Sequence, residues 1–225
     1  MKESYEKPPS ELHLARNKVE AIADRLGKPI DLEIKEPLIA VVASGFNTTG
    51  SCEGHIKWGL PVPYIEIKAP NKPLWTMKGQ EEFFKKIAED NNLTIHEVYG
   101  GFSDDDAKDE KAIEISKLAW GKLDDSSTTE EYNKWREEDE AVEKSINQLL
   151  KEFNTSRKVE EDVKLVFDGG RITNNSSLLK KREEELYRKG SELSEGDWDK
   201  AEKMLPVYRE EMNNFANFLK KKLTE

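Results

Sequence analysis

The run Thr48-Thr49-Gly50-Ser51-Cys52-Glu53-Gly54-His55 places hydroxyls, a thiol, a carboxylate and an imidazole within eight consecutive positions. Four chemistries fit it. The first is nucleophilic or redox cysteine chemistry, with Cys52 and His55 as the catalytic candidates. A thiolate is the reactive form, and a nearby imidazolium lowers the thiol pKa. The second is metal binding, because Cys-x-x-His spacing suits two ligands on one turn. Zinc needs four ligands, or three plus an open position. With one cysteine and three histidines (His13, His55 and His96), such a site must recruit His96 or carboxylates. The sequence contains no complete ligand set, so no metal is assigned. The third is a binding loop. The N–H groups from Gly50 to Gly54, with the Thr49 and Ser51 hydroxyls, form an anion-binding nest, and His55 reads a phosphate, carboxylate or base. The fourth is structural: Cys52 is a small buried hydrophobe, the glycines turn the chain, and His55 satisfies a carbonyl. Composition and spacing leave these readings open.

Outside this run, Arg171 follows the turn signal Asp168-Gly169-Gly170 and is a candidate bidentate anion clamp. Tyr64 and Glu66 share one strand face by alternation, which offers Glu66 as a partner for His55. Trp58 and Trp75 flank the region as candidate stacking groups. Asp104-Asp105-Asp106 lacks the spaced ligands of a calcium loop and reads as a solvated face.

Composition narrows the function classes. The chain has 225 residues, 36 Lys+Arg against 46 Asp+Glu, and a net charge of −10. That acidic balance weighs against a protein that coats nucleic acid non-specifically, since phosphate binding rests on Lys and Arg. It leaves only a local patch such as Lys220-Lys221-Lys222, where a helix C-terminus favours cations anyway. Mean hydropathy is −0.82, and the longest apolar runs fall short of the ~20 residues a membrane span needs. A single cysteine rules out an intramolecular disulfide framework, and the expected compartment is the cytoplasm.

The elements that must position these residues are legible from periodicity. Ser10 caps a helix carrying Leu12, Ala15, Val19, Ile22 and Leu26 at helical spacing, stopped by Gly27. A buried helix beginning at Pro37 is expected through Ala43, ending near Gly45. Residues 46–52 read as extended and 62–68 as a strand. Residues 80–91 form a helix, and the alternation over 93–99 predicts a strand. A helix through Leu123 follows the acidic stretch 103–110. A long helix over 130–153 carries the stripe Tyr132, Trp135, Val142, Ile146, Leu149, Leu150 and Phe153. A strand at 163–167 turns at Asp168-Gly169-Gly170 into a hairpin. Helices over 176–188 and 198–223 complete the chain, the second kinked or split at Pro206. Irregular connections and the lack of a Gly-rich phosphate loop after a strand favour α+β, with a small mostly antiparallel sheet of four or five strands packed with long helices. The expected organisation is one domain with a helix-rich C-terminal half, with 124–129 as the alternative boundary.

Gly45-Phe46-x-Thr48-x-x-Ser51-Cys52-Glu53-Gly54-His55, followed by Pro63-Tyr64-Ile65-Glu66-Ile67, resembles a family of prokaryotic proteins bearing a Ser-Cys-x-Gly-His motif. It is also distantly similar to the tRNA wybutosine-synthesising protein 3 family, whose members carry Ser-Cys-Ser-Gly-Arg. That family is implicated in S-adenosylmethionine-dependent methylation of a modified tRNA guanosine. Ser51, Cys52 and Gly54 match its motif, while His55 stands in place of Arg and Glu53 in place of Ser. The resemblance spans residues 45–67 and implies a site at the matching positions.

The leading expectation is a small-anion or nucleotide-binding module that uses Thr49, Gly50, Ser51, Gly54, His55 and Arg171, with no cofactor assigned. The alternatives are a methyltransferase-like enzyme acting on tRNA or nucleotides, and an interaction protein using its long charged helices.

Overall fold

The computed structural model describes residues 10–23, 27–57, 59–99, 110–122, 127–186, 190 and 192–225. Trp58 and the acidic run 104–106 lie outside them. The described residues form eight helices and one antiparallel four-stranded sheet, an α+β fold. The chain divides into two compact units, Met1–Ala69 with Asp139–Glu225, and Pro70–Glu138. The divisions fall at 69/70 and 138/139, and residues 124–126 of the expected alternative boundary lie outside the described set.

The first unit carries the sheet. Its elements are α1 (Glu11–Glu20), α2 (Leu32–Ala43), β1 (Thr48–Cys52), β2 (Tyr64–Ile67), β3 (Leu165–Asp168) and β4 (Arg171–Asn174). It also holds α7 (Ser177–Leu186), α8 (Glu195–Lys222) and the later part of α6 (Glu130–Thr155). The strand order is β1-β2-β4-β3. Gly169 and Gly170 both have positive φ, as a two-residue hairpin turn of this hand requires, so the turn signal fixes the pairing of β3 with β4. Alternation along β2 turns Ile65 and Ile67 inward, where they join Ile39, Phe153, Ile172 and Phe215 in one apolar cluster.

Helix α2 begins at Leu32, five residues before the expected start, and Pro37 sits inside it. Proline removes one intrahelical hydrogen bond. Here the burial of Ile34, Leu38, Ile39 and Val41 outweighs that loss. Pro206 likewise lies inside an unbroken α8. The C-terminal part of the α6 stripe (Ile146, Leu150 and Phe153) is buried in this cluster, so those residues serve the core rather than a partner. The basic tail is spent on ion pairs: Lys220 with Glu36, Lys221 with Glu225, and Lys222 with Glu152.

The second unit contains α3 (Gln80–Asn91), α4 (Ile95–Tyr99), α5 (Glu110–Lys122) and the start of α6, and an aromatic cluster joins α3, α4 and α5. In it Phe84 touches Phe83, Trp75, Tyr99 and Trp120. Residues 95–99 are helical, not a strand. The cause is a capping box: the Glu97 carboxylate accepts from the Thr94 N–H and hydroxyl, and the Glu97 N–H donates to the Thr94 hydroxyl.

One electrostatic feature sets an acid limit. The Arg16 guanidinium and then Lys220 hold Glu36 down from an ordinary 4.5 to about 2, against the opposing effect of burial. A carboxylate depressed in this way stabilises the fold above its unfolded pKa and loses that contribution as pH falls toward 2. The pair is half-exposed and solvent-screened, so the loss is at most about 1 kcal/mol. Urea midpoints for the protein and for Glu36→Gln should differ at about pH 6 and converge near pH 2.

Candidate functional site

Cys52 is the last residue of β1 and pairs with Tyr64 of β2, on the sheet face that also carries Glu66. Beyond it the chain turns sharply. Gly54 has φ +82, its N–H donates to Cys52 Sγ at 3.4 Å, and the His55 N–H donates to the Leu60 carbonyl at 2.8 Å. A Cβ on Gly54 would stand 2.6 Å from Leu205 Cδ1 and 2.9 Å from the Val62 carbonyl carbon. A Cβ on Gly59 would stand 3.1 Å from the His55 ring at Cδ2. Gly54 therefore admits little beyond glycine, and a side chain at Gly59 would press on the His55 side chain.

Two arginines hold this turn from the helices. Arg209 of α8 donates through Nε to the Glu53 carbonyl (2.8 Å) and through Nη2 to the Gly54 carbonyl (3.1 Å), and it pairs with the Glu53 carboxylate. Arg182 of α7 donates to the Gly59 carbonyl at 3.2 Å.

The third component comes from the head of α2. Asp31 occupies the N-cap position, where an aspartate ordinarily accepts from the first turn. It makes no such bond. The Glu53 carboxylate accepts the Glu33 N–H instead, at 3.2 Å. Asp31 is exposed and forms no hydrogen bond or ion pair among the described residues. One ligating atom from each of Asp31, Cys52 and His55 lies within 4.8 Å of the others.

The remaining expected residues sit as follows. Thr49, Gly50 and Ser51 belong to β1 and its ladder with β2. Thr49 is exposed at the bulge, and the Glu66 carboxylate lies where a Gly50 side chain would be. Arg171 pairs with Glu183 and lies over the Tyr64 ring, so its charge is already matched. His13 contacts Asn17 on α1, and His96 belongs to the second unit. Trp75 packs in that unit's aromatic cluster.

Burial raises the Cys52 thiol pKa above its ordinary value, and Asp31 and Glu53 add to this, while the Gly54 N–H and Arg209 pull it down. These surroundings together disfavour the thiolate, the reactive form of the side chain. Beside the turn, Glu33, Pro206, Arg209, Glu210, Asn213 and Asn214 line a shallow groove of about 410 Å³.

Sequence reasoning missed Asp31, Arg182 and Arg209. Only Asp31 left a signal, as an N-cap residue directly before Leu32. Among the described residues, no helix is long and apolar enough to cross a membrane. No protein-family model, no curated protein and no solved structure matches the chain.

Proposed function

We propose that the chain is a small-ligand-binding module whose site is the turn 52–55 together with the head of α2. The observation that supports this reading is the convergence of Asp31, Cys52 and His55. Asp31 comes from the head of α2 and Cys52 and His55 from the turn, more than 20 residues further along the chain, and none of them lies in the apolar core. The adjoining groove gives a ligand room and offers Arg209, Asn213 and Asn214 as polar contacts. A small anion or nucleotide is the ligand class expected from the donor-rich sequence. Asp31, Glu33 and Glu53 surround the turn with negative charge, and Glu53 already holds Arg209. An anion here therefore needs a positive centre in addition to the arginine.

Histidine-selective NMR tests the reading, because the chain has only three histidines. Inorganic phosphate, adenosine monophosphate and Zn2+ are titrated separately. At least one should shift the His55 ring signals saturably and leave those of His13 and His96 in place. A His55 signal unmoved by all three probes, or parallel drift of all three histidines, would overturn the proposal.

A further inference from the structure

We propose that Asp31, Cys52 and His55 are the protein ligands of a zinc-class transition-metal ion whose fourth coordination position is open to a small anionic ligand. This inference rests on the binding-module reading and names what that module holds.

The donor set selects the metal class. A thiolate and an imidazole suit Zn2+, Co2+ and their neighbours, whereas Mg2+ and Ca2+ want oxygen throughout. Geometry agrees. Bonds of roughly 2.0–2.3 Å in a tetrahedron set ligand atoms about 3.3–3.8 Å apart. The 4.8 Å envelope of the three donor atoms is thus about 1 Å from closure. Asp31 is exposed and can swing the carboxylate inward.

The second observation is the missing cap. A first-turn N–H of α2 is satisfied by Glu53, a residue 20 positions away, and not by the aspartate at the N-cap. The arrangement leaves the Asp31 carboxylate beside the thiol and imidazole with no partner of its own among the described residues. The third observation is the cradle. Gly54 allows the turn to sit where a Cβ would collide, Gly59 lies close against the His55 side chain, and Arg209 and Arg182 hold backbone carbonyls on both sides of His55. A site with three ligands positioned by their neighbours is what a tightly bound ion requires.

Charge then reconciles the ligand class with the acidic surroundings. On binding, the Cys52 thiol gives its proton to solvent, and the thiolate and the Asp31 carboxylate balance the two charges of the ion. The neutral centre no longer repels an anion. Glu53, the nearest further carboxylate, is committed to Arg209 and to the Glu33 N–H, which leaves the fourth position to water or to a small anion from the groove.

Tag-free metal-depleted protein is titrated with Co2+, followed by Zn2+ competition, alongside Cys52→Ser, His55→Gln and Asp31→Asn, each checked by circular dichroism. One ion should bind, with a thiolate-to-cobalt charge-transfer band and the visible bands of tetrahedral Co2+. Cys52→Ser should abolish the charge-transfer band. His55→Gln and Asp31→Asn should weaken Zn2+ by more than the roughly 10- to 100-fold cost of losing an outer-shell partner. Asp31→Asn is the decisive variant, because the residue is exposed and makes no fold-supporting bond. Native-like folding with unchanged Zn2+ affinity in that variant overturns the ligand set, as does a missing charge-transfer band in the unaltered protein. Phosphate added to the cobalt protein should alter the visible bands, and an unaltered spectrum overturns the open position. A His55 response to phosphate or adenosine monophosphate in protein that binds no metal would overturn this inference and leave the binding module standing. No response to any probe removes both.

Discussion

Gly54→Ala should destabilise the protein by about 3 kcal/mol, combining a strained left-handed backbone with overpacking. The glycine has φ +82, a conformation that costs an L-residue about 1–2 kcal/mol. The added methyl would meet Leu205 Cδ1 at 2.6 Å, the Val62 carbonyl carbon at 2.9 Å and the Pro63 nitrogen at 3.1 Å. Leu205 is buried and two of these three atoms are backbone, so a rotamer change alone gives no relief. Forcing the turn outward would also pull the Glu53 and Gly54 carbonyls from Arg209 and separate Cys52 from His55. A urea midpoint well below that of the unaltered protein, at unchanged slope, is the expected observation. A midpoint within error of the unaltered protein would show that the turn relaxes freely and that its geometry is not enforced.

The second large effect lies in the interior of the sheet-bearing unit. Glu211 of α8 is buried, with its side chain only 3% exposed, and Arg157 reaches both its oxygens, through Nε at 3.3 Å and Nη2 at 2.7 Å. Asn214 donates a further bond at 3.3 Å. Glu211→Ala leaves the guanidinium and the amide without their acceptor. Breaking one side of a buried ion pair costs about 3–5 kcal/mol. Arg157 is 32% exposed and recovers some hydration, which places the expected loss near the lower end, about 3 kcal/mol. Replacing both residues by leucine removes the desolvated charges together. That double variant should be more stable than Glu211→Ala, because a buried pair costs desolvation that an apolar pair does not. Chemical denaturation of the two variants checks the order, and the reverse order would mean that the pair contributes net stability.

Local chemistry explains what could be read from the chain. Asp168-Gly169-Gly170 demanded a two-residue turn, and the hairpin forms there. Residues 80–91 form a helix with the expected bounds, because the periodicity runs from Gln80 to a left-handed Asn92. The first helix ends at Glu20, before the expected Ile22, and two further elements were misread where two local signals competed. Over 93–99 the alternation of side chains suggested a strand, but the Thr94 and Glu97 capping box starts a helix. At Pro37 a first-turn proline suggested a helix start, while Asp31 and the apolar residues from Leu32 onward begin it earlier.

The candidate site was half legible for related reasons. Cys52, Gly54 and His55 stand within four positions, and the turn brings them together. Asp31 was hidden by the misplaced start of α2. Arg209 and Arg182 lie more than 120 residues away in sequence, and no periodicity announces that a helix will reach back to a loop carbonyl. Arg171 carried the right charge at a turn, but the pairing of β4 with β2 and the neighbouring α7 places it against Glu183.

The exchange of roles between Asp31 and Glu53 separates two kinds of pressure on this sequence. Glu53 serves the helix, the arginine and the turn at once, so a change there disturbs folding whatever the protein binds. Asp31 has been relieved of the task its position normally carries. Natural drift at position 31 would thus be nearly silent for folding. Retention of a carboxylate there across diverging descendants would record selection by the ligand alone.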